Sequence, residues 1–335
     1  MKTIRWGIIG VGNVCEVKSG PALQKADHSA LVAVMRRTAH LAEDYARRHG
    51  VPRWTDEANA LIHDPEVDAV YIATPPDTHL SYTLQVAAAG KPVYVEKPMA
   101  RTYEECQAMI RACQDAGVPL FVAYYRRALP RFAKARELIA AGALGEVRAV
   151  HVTMHQPPPA DLDQARLPWR FLPNVAGGGL FVDLGSHVLD WLDYALGPIV
   201  AARGLAANQA GLYPAEDIVT ATWRHDSGVQ GTGVWCFTAD RRQDEILIIG
   251  SRGRLAFPCF RDDPLLLTTP EGTTALPIPN PPHIQQPLIQ TIVDALNGQG
   301  TCPSTGESAA RTSRIIDEIL ADWRQQTGVT FLLLS

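Results

Sequence analysis

The sequence predicts an α/β protein of two domains. Residues 1–123 should form a doubly wound parallel sheet, and residues 124–335 an α+β domain with a large, mostly antiparallel open sheet. Three observations support this division. The chain of 335 residues exceeds one ordinary core of about 150 residues. Its first part alternates short Val/Ile/Ala-rich runs with helix-length segments, as βαβ units do. Its second part has apolar runs joined by short polar spacers that suit hairpins.

Composition narrows the class of protein. Hydrophobic residues make up 46% and charged residues 20%, which is typical of a globular chain. A net charge of -4 provides no broad positive field, so we expect no nucleic-acid partner. No apolar run reaches the roughly 18 residues of a membrane span, and the first apolar run follows no basic leader region. The expectation is a cytoplasmic protein that spans no membrane.

The cysteines do not change that expectation. The chain has 6 cysteines and no C-x-x-C pair, and a chain of this size needs no disulfide framework. They are interpreted as reduced thiols, with a catalytic cysteine left open.

The first domain is predicted element by element from its apolar runs. Helix ends are marked by Gly50, Gly90 and Gly117, which suit helix C-caps. The expected strands are 4–9, 31–35, 68–73, 92–96 and 119–123, and the expected helices are 39–49, 56–63, 77–90 and 102–117.

A glycine motif follows the first strand. Gly10 permits a tight turn, and Gly12 lets the backbone approach a pyrophosphate. The N-terminal amides of the next helix would then donate hydrogen bonds to that pyrophosphate. Cys15 stands where the Rossmann fingerprint usually has a third Gly or Ala. The motif predicts binding of a dinucleotide cofactor by Gly10, Val11, Gly12, Asn13 and Val14.

The end of the second strand bears on the choice of dinucleotide. An acidic residue there usually binds the ribose of NAD, but this chain has Arg36 and Arg37. Guanidinium groups pair well with a 2′-phosphate, so NADP is favoured over NAD. The alternative is an ordinary solvated helix start.

Two more segments lie at carboxyl ends of parallel strands, where ligands bind. In the first, Thr74 and Pro75 are expected to contact the cofactor, and His79 either faces it or only caps and packs. In the second, Glu96 and Lys97 precede Pro98 and are also expected to contact the cofactor. An exposed lysine is usually a solvated charge, but a buried Lys97 beside a cofactor would exchange a proton with a substrate hydroxyl.

Together, the G-x-G start, the T-P-x-x-x-H segment and E-K-P resemble the glucose-fructose oxidoreductase, inositol dehydrogenase and MocA (Gfo/Idh/MocA) family. The resemblance implies an NAD(P)-dependent oxidoreductase acting on a sugar, cyclitol or similar polyol. It also implies that Lys97 lies at the nicotinamide and substrate site.

The second domain is predicted from hairpin spacing. A helix from about 130 to 141 leads to strands that begin at 145 and recur near 217–224, 229–238, 244–250 and 253–257. Helices at 283–298 and 304–325 and a short strand at 330–334 complete the chain, and 156–170 is expected to be a loop over the cleft.

One helix of this domain carries candidate catalytic groups. Asp183, His187, Asp190 and Tyr194 share a polar stripe after three glycines at 177–179. Such a stripe is ordinarily a solvated face, although His four residues after Asp favours a paired imidazole. The segment also resembles the family's G-G-G-x-x-x-D-x-G-x-H-x-x-D helix. By that resemblance Asp183 binds a substrate hydroxyl and His187 is a second acid/base.

Other predicted substrate contacts are weaker. Arg127 at the domain pivot contacts substrate or is surface charge, and Trp169 and Arg170 line a sugar site or simply pack. No metal is expected, because one helix face rarely closes a metal site.

Two other functions stay open. One is a redox-neutral enzyme that retains its cofactor and uses transient oxidation for elimination or glycoside cleavage. The other is a nicotinamide-sensing regulator. The open sheet predicts a subunit interface, and the family resemblance implies a homodimer or homotetramer.

Overall fold

The first domain contains the predicted parallel sheet. The computed structural model describes residues 1–163 and 165–331. Six strands, all parallel, run in the order β3-β2-β1-β4-β5-β6. They are β1 (Ile4–Ile9), β2 (Ser29–Met35), β3 (Arg53–Thr55), β4 (Ala69–Ile72), β5 (Val93–Val95) and β6 (Leu120–Val122). The strand order reverses between β1 and β4, and ligands of such sheets bind at this crevice.

Helices cover both faces of this sheet. They are α1 (Asn13–Val17), α2 (Gly20–Lys25), α3 (Ala39–His49), α4 (Ala58–Ile62), α5 (His79–Ala88) and α6 (Tyr103–Asp115). The helical segment after the glycine motif is split at Lys18 and Ser19, since Pro21 lies in the first turn of α2 and suits a new helix start. Gly20 is required there, because a Cβ would lie 2.0 Å from Tyr45 Oη.

The second domain has the predicted open sheet. The order is β14-β13-β12-β11-β7-β10-β9-β8, and every pair except β7 with β10 is antiparallel. The strands are β7 (Val147–His155), β8 (Ile199–Ala207), β9 (Ile218–His225), β10 (Gln230–Cys236), β11 (Gln243–Gly250), β12 (Arg254–Phe257), β13 (Leu265–Thr269) and β14 (Gly272–Leu276). The sequence did not predict β3, β8, β13 or β14.

One face of the open sheet packs against helices α7 (Pro130–Ala140) and α9 (Ser186–Leu196), whereas the short helix α8 (Pro173–Ala176) contacts the 3-10 turn Pro76–Thr78 of the first domain. Trp191 of α9 lies between Phe132 and Phe257, with ring centroids 5.5 and 5.3 Å away. Side chains alternate between buried and exposed along β9 and β10, so the opposite face of the sheet is open. One apolar cluster runs from the parallel sheet into this core, and a second fills the other face of the parallel sheet.

The C-terminal helices reach back to the first domain. α10 (Gln286–Leu296) packs against α2, and α11 (Gly306–Thr327) packs against α6, α9 and β8. Phe121 of β6 also forms a bridge with Thr305, which caps α11. The division of the chain at residue 123 therefore stays a prediction.

Two points concern the chain as described. The predicted strand at 330–334 falls partly on residues 332–334, which lie outside the described residues, and 330–331 form neither helix nor strand. Among the described residues, no helix combines the length and apolar character of a transmembrane span.

Candidate active site

Two adjoining cavities lie at the crevice between β1 and β4. The first, the glycine-loop cavity, has a volume of about 430 Å³, and the second, the lysine cavity, about 380 Å³. The glycine-loop cavity is lined by Gly10, Val11, Gly12, Asn13, Val14, Met35, Arg36, Arg37, Thr38, Ala73, Thr74, Pro75, Tyr82, Trp169 and Arg170. The lysine cavity is lined by Asn13, Val14, Lys18, Ala73, Thr74, Pro76, Glu96, Lys97, Tyr125, Trp169, Arg170, Asp183, Leu184, His187, Phe260 and Gln285.

The glycine loop leaves room for a bound group. Gly10 has φ 93°, and a Cβ there would lie 2.6 Å from Thr74 Cγ2, so only glycine fits. A Cβ at Gly12 would meet nothing nearer than Gly10 O, at 3.9 Å. The backbone of Gly12 is therefore open to the cavity that it lines, which fits the close approach of a dinucleotide pyrophosphate.

Cys15, the departure from the usual glycine fingerprint, is accommodated by packing. Its side chain is buried, and burial raises the pKa of its thiol to about 12. A thiol that stays protonated is a poor nucleophile, so Cys15 acts as a small apolar residue.

The two arginines after β2 differ in their contacts. Arg36 Nη1 donates a hydrogen bond to Val11 O at 3.1 Å, which turns its guanidinium back onto the glycine loop. Arg37 is exposed, and no hydrogen bond or ion pair joins it to another described residue. Of the two arginines after β2, Arg37 is therefore the one whose guanidinium has no hydrogen-bond partner among the described residues.

His79 takes the second of its two predicted roles. It is fully buried and does not line either cavity. Its Nδ1 lies 3.1 Å from Pro98 O and 3.1 Å from Met99 O, and its Nε2 lies 2.9 Å from Thr74 O. The ring thus links the two carboxyl-end segments of the sheet, while Thr74 itself lines both cavities.

Lys97 forms the central contact between the two domains. Its Nζ donates hydrogen bonds to Asp183 Oδ1 at 2.5 Å and to Asp183 O at 2.9 Å. Burial acts to raise the pKa of Asp183, but the charge of Lys97, assisted by Arg170 and Lys18, outweighs it and holds the pKa below its usual value. Asp183 is therefore a carboxylate that fixes the amino group of Lys97.

A buried hydrogen-bond network lies behind Lys97. Glu96 Oε2 accepts from the backbone N–H of Lys97 at 3.0 Å. Its Oε1 accepts from Tyr71 Oη at 2.5 Å and from Gln285 Nε2 at 2.7 Å, and Tyr94 Oη donates to Gln285 Oε1 at 2.9 Å. Gln285 is the residue before α10, so this helix is connected to the strand that carries Lys97.

His187 follows Asp183 by one helical turn. A π-helical turn, Phe181–Gly185, joins Asp183 to α9, which begins just before His187. Burial lowers the pKa of His187 well below its usual value, and the nearby charges of Arg126 and Lys97 add to the effect. Its Nδ1 is buried without a hydrogen-bond partner among the described residues, so the neutral ring has Nε2 left for the cavity that it lines.

Asp190, which belongs to the same predicted polar stripe, forms a buried ion pair with Arg127 and does not line either cavity. Arg127 Nη2 and Nε donate to the two carboxylate oxygens of Asp190 at 2.5 and 2.9 Å, and Arg127 Nη1 donates to Pro303 O and Ser308 Oγ. Both charged side chains are fully buried. The structure does not bring Arg127 to either cavity, because Asp190 and the start of α11 occupy its donors.

Trp169 and Arg170 lie where the two cavities meet. They form a short 3-10 turn, Trp169–Phe171, and line both cavities. Arg170 Nε lies 3.8 Å from Asp183 Oδ2. The structure therefore brings together Lys97, Asp183, His187, Trp169 and Arg170.

Sequence reasoning missed several residues of the lysine cavity. Lys18 ends α1, Tyr125 lies in the 3-10 segment Tyr125–Ala128, Phe260 follows β12, and Gln285 precedes α10. No local pattern distinguishes them, because they meet only when both domains are folded. Within residues 1–163 and 165–331, no three His, Cys, Asp or Glu residues converge as metal ligands would.

Comparisons with known proteins agree with this architecture. Residues 4–124 match the oxidoreductase family with an NAD-binding Rossmann fold, and residues 132–256 match the Gfo/Idh/MocA C-terminal domain. Oxidoreductase P35 of Formosa agariphila is 37% identical over 317 residues, or 94% of this chain and 97% of that protein. The 1,5-anhydro-D-fructose reductase of Ensifer adhaerens is 29% identical over 90% of this chain and 91% of that protein.

A solved structure extends the comparison to the fold. Aldose-aldose oxidoreductase from Caulobacter crescentus, complexed with glycerol, superposes with a TM-score of 0.86 and 25% identity over 97% of this chain and 98% of that chain. Both halves of the chain, and not the nucleotide-binding domain alone, thus have counterparts in these proteins. The chain belongs to the Gfo/Idh/MocA family of NAD(P)-dependent oxidoreductases.

Proposed function

We propose that the protein transfers a hydride between a nicotinamide and a secondary alcohol or ketone of a sugar, cyclitol or similar polyol. The observation that carries the proposal is the contact of Lys97 with Asp183 in the lysine cavity, which a neutral His187 also lines and which adjoins the glycine-loop cavity. A relative named 1,5-anhydro-D-fructose reductase and a glycerol complex of an aldose-aldose oxidoreductase support the polyol class.

The glycine-loop cavity suits the dinucleotide. Its lining includes the open backbone of Gly12, the amides of Asn13 and Val14, and the turn formed by Thr74 and Pro75. When bound, the nicotinamide supplies or accepts the hydride at its C4 carbon. Residues that line both cavities would place the nicotinamide end beside Lys97.

Proton transfer falls to the residues of the lysine cavity. In reduction, the ammonium of Lys97 gives a proton to the oxygen of the forming alcohol, and in oxidation the proton moves the other way. Asp183 holds the amino group in place, which favours a reactive orientation. His187 is neutral, so its Nε2 is suited to hydrogen-bond the substrate hydroxyl and to relay its proton as the second acid/base.

We favour NADP over NAD because of Arg37. Its guanidinium lines the glycine-loop cavity and has no ion-pair partner among the described residues. An unpaired guanidinium prefers a 2′-phosphate to a ribose hydroxyl. Fluorescence titration with NADPH and with NADH measures this preference, and tight binding of NADH alone would remove this argument.

The test of the proposed reaction is Lys97→Met assayed with a panel of polyols plus oxidised NADP and a panel of ketoses plus NADPH. We expect turnover to fall by about 10²- to 10⁴-fold while the cofactor still binds. Lys134→Met, on the exposed surface of α7, is the matched control and should keep full turnover. Unchanged turnover in Lys97→Met would contradict the assignment, and product formation without net NADPH change would indicate the redox-neutral reaction.

We also propose that the open face of the antiparallel sheet joins subunits in a homodimer or homotetramer. Apolar side chains lie exposed on this face, including Val200 at 42%, Leu205 at 74% and Val234 at 37%. Light scattering of Leu205→Glu should show smaller particles than the wild type, whereas Leu84→Glu on α5 should not. Equal masses for all three proteins would exclude this face as the interface.

A further inference from the structure

We propose that the substrate is a carboxylated sugar, such as a uronate or an aldonate, and that Lys18 binds its carboxylate. This inference rests on the proposed oxidoreductase function and specifies its substrate class. It starts from the charges of the lysine cavity.

The lysine cavity contains more positive than negative charge. Lys18, Lys97 and Arg170 line it, against Glu96 and Asp183. Both oxygens of Glu96 accept hydrogen bonds within the protein, and the residue is only 7% exposed. Asp183 is already bonded to Lys97. An incoming ligand therefore meets an excess of cations at the surface of the cavity.

Lys18 is the cation of this cavity that is free for a substrate. Lys97 is held by Asp183, and Arg170 lies 3.8 Å from the same carboxylate and also lines the glycine-loop cavity, where an anionic dinucleotide would engage it. Lys18 lines the lysine cavity and does not line the glycine-loop cavity. No hydrogen bond or ion pair joins the Lys18 side chain to another residue of 1–163 or 165–331, although its backbone N–H donates to Val14 O.

A second positive charge lies behind the aromatic wall of the cavity. The side chain of Arg126 is buried, and its guanidinium carbon lies 4.3 Å from the ring centre of Phe260 and 5.0 Å from that of Tyr125. Within the described chain no carboxylate oxygen lies within 4.0 Å of Arg126, and its Nη1 has no hydrogen-bond partner. The two rings that line the cavity suit sugar C–H groups, and the cation behind them favours an anion in front.

The size of the cavity fits a single sugar unit. Its volume of about 380 Å³ is near the lower end of the roughly 300–1,000 Å³ range of small-molecule sites. Lys97 and Asp183 mark the place of the reacting hydroxyl, and Lys18 comes from a different element, the end of α1. A hydroxyl and a carboxylate on different carbons of one sugar match these two positions.

The experiment compares acids with their neutral counterparts in the enzyme preloaded with NADPH. Isothermal titration calorimetry measures binding of D-glucuronate against D-glucose, D-galacturonate against D-galactose, D-mannuronate against D-mannose, and D-gluconate against D-glucitol. The same pairs are then assayed for hydride transfer. We expect the acid to bind more tightly in at least one pair, and this preference to weaken in about 1 M salt, where the screening length is about 3 Å.

Variants identify the residue responsible. Lys18→Met should weaken binding of the preferred acid about tenfold or more, with little change for its neutral partner or for NADPH. Lys18→Arg should restore much of the preference. Lys25→Met is the matched control, because Lys25 is a neighbouring lysine on α2 that contacts His283 and does not line the cavity.

The outcomes separate the two proposals. Neutral members preferred in every pair, no binding of any acid, or a preference that survives Lys18→Met would each overturn the inference. Lys18-dependent binding of an acid without hydride transfer would support the inference and count against the proposed oxidoreductase reaction. Hydride transfer with neutral polyols only would support the proposed oxidoreductase reaction and count against the inference of a carboxylated substrate.

Discussion

Glu216 should make the stability of the folded protein depend on pH near neutrality. Its side chain is fully buried just before β9, where Oε1 accepts a hydrogen bond from Gly179 N at 2.7 Å. Its Oε2 has no hydrogen-bond partner among the described residues. Burial raises the pKa of Glu216 to about 7, with Asp217 acting in the same direction and Arg324 and the Gly179 N–H opposing it.

The sign and size follow from this pKa. The unfolded carboxyl releases its proton near pH 4.5, whereas the folded one keeps it until about pH 7. The folded state therefore binds more protons in this window, and the free energy of unfolding falls as pH rises. About 2.5 pH units correspond to a loss of about 3 kcal/mol, complete above pH 7.

The assay is urea denaturation of the wild type and of Glu216→Gln, followed by tryptophan fluorescence from about pH 5 to about pH 8. Glutamine keeps an acceptor for Gly179 N and cannot ionise, so the variant should gain about 3 kcal/mol relative to the wild type across this range. Glu43→Gln, at an exposed position on α3, controls for removal of a negative charge. Parallel pH profiles of wild type and Glu216→Gln would refute the reasoning.

Three further predictions concern charged and polar contacts of the site. Arg127→Met leaves Asp190 buried without its cation and should lower the free energy of unfolding by about 3–5 kcal/mol; pairing it with Asp190→Leu should recover most of the loss in the same denaturation assay. Arg37→Ser should raise the Kd of NADPH about tenfold or more and leave that of NADH unchanged in fluorescence titration, and an equal change for both would contradict a 2′-phosphate contact. Gln285→Leu removes a donor to Glu96 and should lower kcat more than cofactor affinity. The side chain of Gln285→Asn is one methylene shorter and should not reach Glu96, so a restored kcat in that variant would contradict the positioning role of Gln285.

Sequence patterns predicted the first domain well because its signals are local. The glycine motif and the capping glycines each depend on a backbone conformation that few other residues adopt, and Gly10 and Gly50 have positive φ as expected. The sequence missed β8 and β14 for a different reason. β8 and β14 are the edge strands, and along them buried and exposed side chains do not alternate regularly.

The site was predicted as far as a family motif could indicate it. Lys97, Asp183 and His187 lie together, but no sequence pattern separates Asp190 from the same stripe. Asp190 is taken by Arg127, 63 residues away along the chain. Lys18 and Gln285 join the site through packing between distant segments, and no periodicity within either segment encodes such a contact.

The attachment of Gln285 to Glu96 has a consequence for recombining this protein with its relatives. A chimaera that joined residues 1–123 to a foreign second domain would lose both Gln285, which bonds to Glu96, and Thr305, which forms a bridge with Phe121. The lysine strand would then keep a buried carboxylate with one donor fewer, and α6 would lose the cover of α11. The transferable nucleotide-binding module of this protein is therefore discontinuous, and an exchange that preserves it must carry the segment 283–327 together with residues 1–123.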